Sequence, residues 1–504
     1  MDAKNTYKET FKATSLFGGI QVFNILVGFF RSKVIAVFLG PGGYGINGLL
    51  QSGLDLTSLV TGLGIGFSGV RDIAAANNEG NQEKISKIAT TIKRWSWWTG
   101  IGGVLAVIFF SPLLSRWLTG NVENNQGLGQ YDYTWTFVAL SITLFFVAVS
   151  GGQQALLRGL RRLKDTAKTG FYSALAGLII SIPLYYFYGI KGIVPTIILT
   201  AIVTLLFSWY YSKKIGFVPV RITYKESLSQ GKGMIKLGIL ISLSNLAMQV
   251  VSYLIILFIL KQSGKEVVGL YNAGWSMTNR CVGLVFTAMS VDYFPRLVNL
   301  QNNRIKMSEA VNQQAEIAIL IVAPLMILYL AFLPALLKLL LSGDFMPIIG
   351  FVQWTILGMM LKTASWALSS IIVAKGDNKL FLVSELVSNG IFLILNVAGY
   401  YIFGLMGVGI AFSINYVLYF TAMFLIAKKK YGISFNREFN KLFLYQFILS
   451  VICFFIIYMK GYPFAYIPCF VLFVVSFIYS FKKLDNRMDL REMLMLKLRK
   501  KENN

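Results

Sequence analysis

Residues 192–212 read GIVPTIILTAIVTLLFSWYYS, a run without one Asp, Glu, Lys or Arg. About 20 apolar residues carry an α-helix across the hydrocarbon core of a bilayer, so this segment reads as a membrane span. Moving outward from it, similar runs recur at 13–38, 45–70, 95–118, 131–157, 168–188, 234–260, 268–295, 311–341, 347–374, 380–402, 404–427, 442–460 and 463–481. The whole chain agrees: 56% of its 504 residues are hydrophobic and 14% charged, against about 25% charged in a soluble domain. Its mean hydropathy is +0.63. Barrel strands alternate and span with about 10 residues, which these runs do not match. The expected fold class is all-α, a polytopic membrane protein with about 14 transmembrane helices. The polar N-terminus, MDAKNTYKETFKAT, leads into the first run with no cleavable signal expected.

Charge sets the orientation. Of the 47 Lys and Arg, only Arg116, Lys191, Lys261, Lys265, Lys338 and Lys460 fall in the loops on one side, and Arg31, Lys33, Arg280 and Lys362 within spans. The remainder lie on the other side, the cytoplasmic one by the positive-inside rule. Both termini are therefore expected in the cytoplasm. The net charge of +25, which in a soluble chain would suggest nucleic acid, is explained by topology, and no nucleic-acid partner is expected.

Tyr185–Ile193 reads YYFYGIKGI, and Tyr400–Val408, 215 residues on, reads YYIFGLMGV. The same offset carries Lys213 onto Lys428. Spans 2 and 8 also correspond, opening at Gly45 and Gly269 and ending at Arg71 and Arg296. The first twelve spans thus divide into two pseudo-symmetric six-helix bundles, with two extra C-terminal helices. The expected domains are an N-terminal six-helix lobe over 1–216, a C-terminal six-helix lobe over 217–432, an appended transmembrane pair over 433–483 and a basic cytoplasmic tail over 484–504. Parallel repeats of this kind build transporters that rock two bundles about a central cleft.

The inventory of chemistry is sparse. There is no histidine, Cys281, Cys453 and Cys469 sit inside apolar runs, and no G-x-x-x-x-G-K-[ST] occurs. Histidine-based catalysis, a zinc site and a phosphate-binding ATPase loop are excluded; no cofactor and no enzymatic activity are expected. What remains is a set of charges in the membrane, each costing at least about 2.5–3.5 kcal/mol at mid-bilayer and so usually facing protein or water. Lys33, Arg280 and Lys362 are the candidate substrate-binding residues. Asp55 and Glu385 are candidates for ion coupling or for neutralising a cation. Excess positive charge in a cleft suits an anionic solute such as a phosphate or pyrophosphate. Gly62, Gly64, Gly66 and Gly69 make span 2 narrow, which favours close helix packing over a gating hinge.

The run Ser32–Gly45, SKVIAVFLGPGGYG, resembles the end of span 1 in the Wzx-type flippases of the multidrug/oligosaccharidyl-lipid/polysaccharide exporter superfamily. Leu157–Arg161, Tyr293–Leu297, Leu361–Lys362, Val373–Lys375 and Ser384–Leu386 add to the likeness, which covers about residues 10–430. The resemblance implies a flippase moving undecaprenyl-pyrophosphate-linked oligosaccharide, an O-antigen or similar surface-polysaccharide unit, across a bacterial inner membrane. It also implies membrane lipid, a polysaccharide polymerase and a chain-length regulator as partners. It supports Lys33 and Lys362 as cleft cations, whereas Arg280 and Asp55 rest on the charge argument. The two extra spans depart from the family's twelve. Competing readings are an ion-coupled multidrug or small-molecule antiporter of the same superfamily and, from another class, a membrane polysaccharide polymerase or glycosyltransferase. The latter would need a large outside loop that the sequence lacks.

Overall fold

The computed structural model describes residues 3–119, 133–216, 220, 222–462 and 464–488, and among them there is no β-strand. The chain runs through α1 (Ala3–Thr61), α2 (Ile65–Asn78), α3 (Gln82–Thr119), α4 (Thr134–Gly159), α5 (Leu163–Tyr188), α6 (Ile193–Lys213) and α7 (Tyr224–Asn299). It continues through α8 (Arg304–Ala331), α9 (Leu333–Leu340), α10 (Ile349–Ala374), α11 (Asn378–Ile426), α12 (Arg437–Lys460) and α13 (Tyr466–Met488). Ten helical stretches are long and apolar enough to cross a membrane. Four of them contain a glycine with positive φ: Gly40 in Phe23–Thr61, Gly189 in Leu163–Lys213, Gly264 in Asn245–Arg280 and Gly404 in Asn378–Tyr431. Dividing at these glycines gives fourteen segments, in register with the spans read from sequence. The protein is a multi-pass, all-α membrane protein.

The internal repeat is visible in backbone geometry. Gly40 (φ 63°, ψ −173°) matches Gly264 (φ 80°, ψ −177°), and Gly189 (φ 52°, ψ −131°) matches Gly404 (φ 58°, ψ −141°). Only glycine enters these regions without a steric penalty. After each of the second pair the chain folds back on itself. A Cβ on Gly192 would lie 2.3 Å from the Leu184 carbonyl oxygen, and one on Gly407 would lie 1.8 Å from that of Gly399, the same contact 215 residues on. The turns between α4 and α5 and between α10 and α11 agree bond for bond. Leu160, Arg161 and Arg162 donate their N–H groups to the carbonyls of Leu156, Arg158 and Leu157; Lys375, Gly376 and Asp377 donate to Ile371, Val373 and Ile372.

Two compact units result, one of 1–273 with 340–344, the other of 274–339 with 345–504. The first cut falls inside the long helix α7. In the first unit, Ile65, Ile73, Ile85, Ile92 and Met234 form a buried cluster. In the second, α8, whose Ala315, Ile319 and Ala323 are wholly buried, packs with α10, α12 and α13. The appended pair is joined by polar contacts in its apolar interface: Gln446 Nε2 donates to Ser480 Oγ at 2.9 Å, and Ser476 Oγ donates to Gln446 Oε1 at 2.6 Å. Two spans differ from expectation. Span 2 is interrupted at residues 62–64, where Leu63 (φ 49°) and Gly64 (φ 65°) turn left-handed before α2 begins. The ninth ends at Ala331 and is followed by the separate short helix α9. Of the expected basic tail, residues from 489 on lie outside the described residues, as does the Cys281 side chain.

Candidate functional site

In the second unit the charged side chains converge around Lys362. It sits in the middle of α10 with Met359, Met360 and Thr363 wholly buried beside it. Its Nζ makes a long contact, 3.4 Å, to Asn279 Oδ1 on α7, next to Arg280. It also lies 5.5 Å from the ring centroid of Tyr416 and 5.9 Å from that of Phe412, both on α11. Aromatic faces at that range attract a cation through the negative face of the ring quadrupole. Glu385 is within electrostatic reach of Lys362, and its Oε1 accepts a hydrogen bond from Tyr419 Oη at 2.5 Å. Trp275 stands edge-on to Phe412, centroids 5.5 Å apart. Arg280 is half-buried and engaged by neighbours. One turn beyond Glu385, the buried Nδ2 of Asn389 has no hydrogen-bond partner among the described residues. A buried unpaired donor costs about 1–3 kcal/mol, so the site has unmet demand for an acceptor. The result is a wall of two cations, one carboxylate, amides and aromatic faces, directed into protein and not at acyl chains.

The first unit holds the other two residues. Lys33 donates from Nζ to the Leu341 carbonyl at 2.5 Å, which ties span 1 to the loop after α9. Asp55 accepts a 3.0 Å hydrogen bond from Gln51 Nε2 and opens onto a cavity of about 250 Å³ that Ser58, Gly62, Gly64, Ser96 and Thr99 also line. The cavity exists because span 2 breaks there. Gly64 also touches its neighbour, since a Cβ on it would lie 2.2 Å from the Gly238 carbonyl oxygen. The expected close packing is present, with a helix break alongside it. Broken helices leave carbonyls unpaired and turn helix ends towards a cavity, the arrangement transporters use for ion sites. Asp55 and Arg280, weighed as a charge pair in the sequence, belong to different units.

Several residues of these sites escaped the sequence reading. Asn279, Tyr416 and Asn389 are neutral and scattered among apolar neighbours, and only their proximity to Lys362 and Glu385 marks them. Glu316 on α8, buried to 1% exposure and engaged by a partner, lies within a span and was readable as an intramembrane acid.

Fold and site together define a class, a polytopic helical transporter fold built from two repeated bundles. The polysaccharide biosynthesis protein family matches residues 34–350, more than half of the chain, and the chain belongs to that family. Its curated relatives include the lipid III flippases of Escherichia coli (strain K12) and Shigella flexneri, each 21% identical over 428 residues, covering 83% of this chain and 99% of the relative. Among solved structures, the inward closed conformation of the lipid II flippase MurJ superposes with a TM-score of 0.74 at 15% identity. It covers 94% of this chain and 99% of that one. An inward-facing multidrug resistance MATE family transporter of the MOP superfamily superposes at 0.65 and 16% identity, covering 85% and 99%. The fold is therefore that of the MOP superfamily.

Proposed function

We propose that this protein is a flippase for lipid-linked oligosaccharide, and specifically for undecaprenyl-pyrophosphate-linked repeat units of a surface polysaccharide. The observation that carries the reading is the Lys362 site: a cation held in mid-membrane inside protein, with Arg280 close by in sequence to Asn279 and an aromatic wall of Trp275, Phe412 and Tyr416. Guanidinium and ammonium groups bind a diphosphate, and aromatic faces with an unpaired amide suit sugar rings and hydroxyls. The names of the two flippase relatives support the same cargo class. The polyprenyl tail stays in lipid while the head group crosses. Asp55 in its cavity and Glu385 beside Lys362 are the groups for an ion whose gradient drives the cycle. Lys33 serves as a third cation once its bond to Leu341 is released. The protein sits in a bacterial inner membrane with both termini cytoplasmic, and delivers its cargo to a polymerase and chain-length regulator.

The test is replacement of Arg280 or Lys362 by Ala in the producing cell. Each variant is expected to lose surface polysaccharide by at least about tenfold, the scale of one charge-assisted hydrogen bond, with the protein still present in the membrane. Wild-type polysaccharide in both variants would overturn the site.

A further inference from the structure

A second cavity lies at the loop end of the first unit, where the charge distribution assigns the cytoplasm. It measures about 450 Å³ and is lined by Arg162, Leu160, Glu83, Ser86, Ile215 and Gly216, among others. The repeat explains why it is open. Arg162 corresponds to Asp377, 215 residues on, in a turn with the same hydrogen bonds. In the second unit that turn is closed: Asp377 accepts a hydrogen bond from Tyr431 Oη and an ion pair from Lys430 Nζ at 3.2 Å. Both come from the π-helical turn Ala427–Tyr431 that ends at left-handed Gly432. The corresponding stretch of the first unit ends at left-handed Gly216 without the extra residue a π-turn accommodates. Ile215 therefore stands where Tyr431 does, and Lys214 where Lys430 does. Ile215 has no hydroxyl to offer, and Lys214 lies over the rings of Tyr210 and Tyr211 at 4.4 and 5.6 Å. Where the second unit has an acid clamped by a cation and a phenol, the first has a guanidinium facing a gap.

The surroundings have the same sign. Arg158, Arg161, Arg162 and Lys164 are all exposed around the turn. Arg162 has only a loose, half-exposed pairing with Asp165 at 3.6 Å. Glu83, the acid in the lining, is already paired with Lys87 at 2.6 Å. Arg161 is held at φ 56° where its counterpart is Gly376, so the turn keeps a third guanidinium in a conformation that favours glycine.

We infer that this cavity is an anion site for a phosphate group at the membrane surface, with Arg162 as its principal ligand and Arg158, Arg161 and Lys164 around its mouth. Guanidinium forks bind phosphate oxygens in pairs. The phosphate could be supplied by an anionic phospholipid head group or by a free diphosphate, and the reading stands independently of the transported cargo.

The experiment uses the full chain in nanodiscs, in two arms. In phosphatidylcholine nanodiscs, binding of inorganic pyrophosphate is titrated calorimetrically. In nanodiscs of phosphatidylglycerol and phosphatidylcholine, retained phosphatidylglycerol is counted by native mass spectrometry. The wild type is expected to bind in one arm at least, and the arm identifies the source. Arg162→Ala should weaken that binding about tenfold or more. The double variant Arg162→Asp with Ile215→Tyr rebuilds the clamp of the second unit and should abolish it while keeping or raising the melting midpoint. Wild type silent in both arms, or Arg162→Ala binding like wild type, overturns the site.

Discussion

Arg161 shows how a single residue can carry strain for its charge. A left-handed backbone costs an L-residue about 1–2 kcal/mol, while glycine pays about 0.5–1 kcal/mol of extra chain entropy. Arg161→Gly should therefore raise stability by up to about 1 kcal/mol, read as a higher denaturation midpoint in detergent; a fall would mean that the side chain supports the turn. At this scale the sequence was legible only where a residue is conspicuous. Lys362, Arg280, Asp55 and Glu385 stand out because charge is rare in an apolar run, and the structure brings Lys362 and Glu385 into one cluster. Asn279 and Tyr416 carry no such mark, because a neutral polar side chain in a span is usually satisfied by its own helix. Asn279 does donate to the Trp275 carbonyl at 3.0 Å, and only its other atom reaches Lys362.

At the scale of elements, the repeat makes a reciprocal contact. A Cβ on Gly45 would lie 2.0 Å from the Lys265 carbonyl oxygen, and one on Gly269 would lie 1.8 Å from that of Pro41, so the same pair of positions meets twice. Backbone cannot yield as a side-chain tip can. Gly45→Ala and Gly269→Ala should each destabilise by about 1–3 kcal/mol, the cost of overpacking, and by similar amounts, measured as thermal midpoints; a neutral result at one position would break the equivalence. The turn at Asp377 gives a pH prediction. The hydrogen bond from Tyr431, and then Lys430, hold this carboxyl below the ordinary carboxylate range. A depressed folded value means that the stabilisation is present at neutral pH and is lost as pH falls from about 4 through the folded value. Asp377→Asn should accordingly melt below wild type at neutral pH, with the gap closing on acidification. The helix break at 62–64 was not legible, because a run of glycines reads equally as tight packing and as a hinge, and the backbone does both there.

For the whole molecule, the spans were the most legible feature, since in hydrocarbon the backbone must bond to itself and long apolar helices follow. The repeat was legible where aromatic and glycine positions recur at the fixed offset. The division into units was not: the cut inside α7 depends on long-range packing that no local pattern records. Orientation yields a direct test. A fluorescent protein fused to the C-terminus should mature and fluoresce in intact cells, and a periplasmic phosphatase fused there should be inactive; the opposite pair of results would reverse the charge-based topology. The glycines at 40, 189, 264 and 404 have one more consequence. Each joins two helices with scarcely any intervening chain and, by alternation, all four lie on one face of the membrane. That face gives a protease or an antibody almost nothing to grip at those joints, and an epitope tag spliced into one of them would have to unwind a helix to be seen.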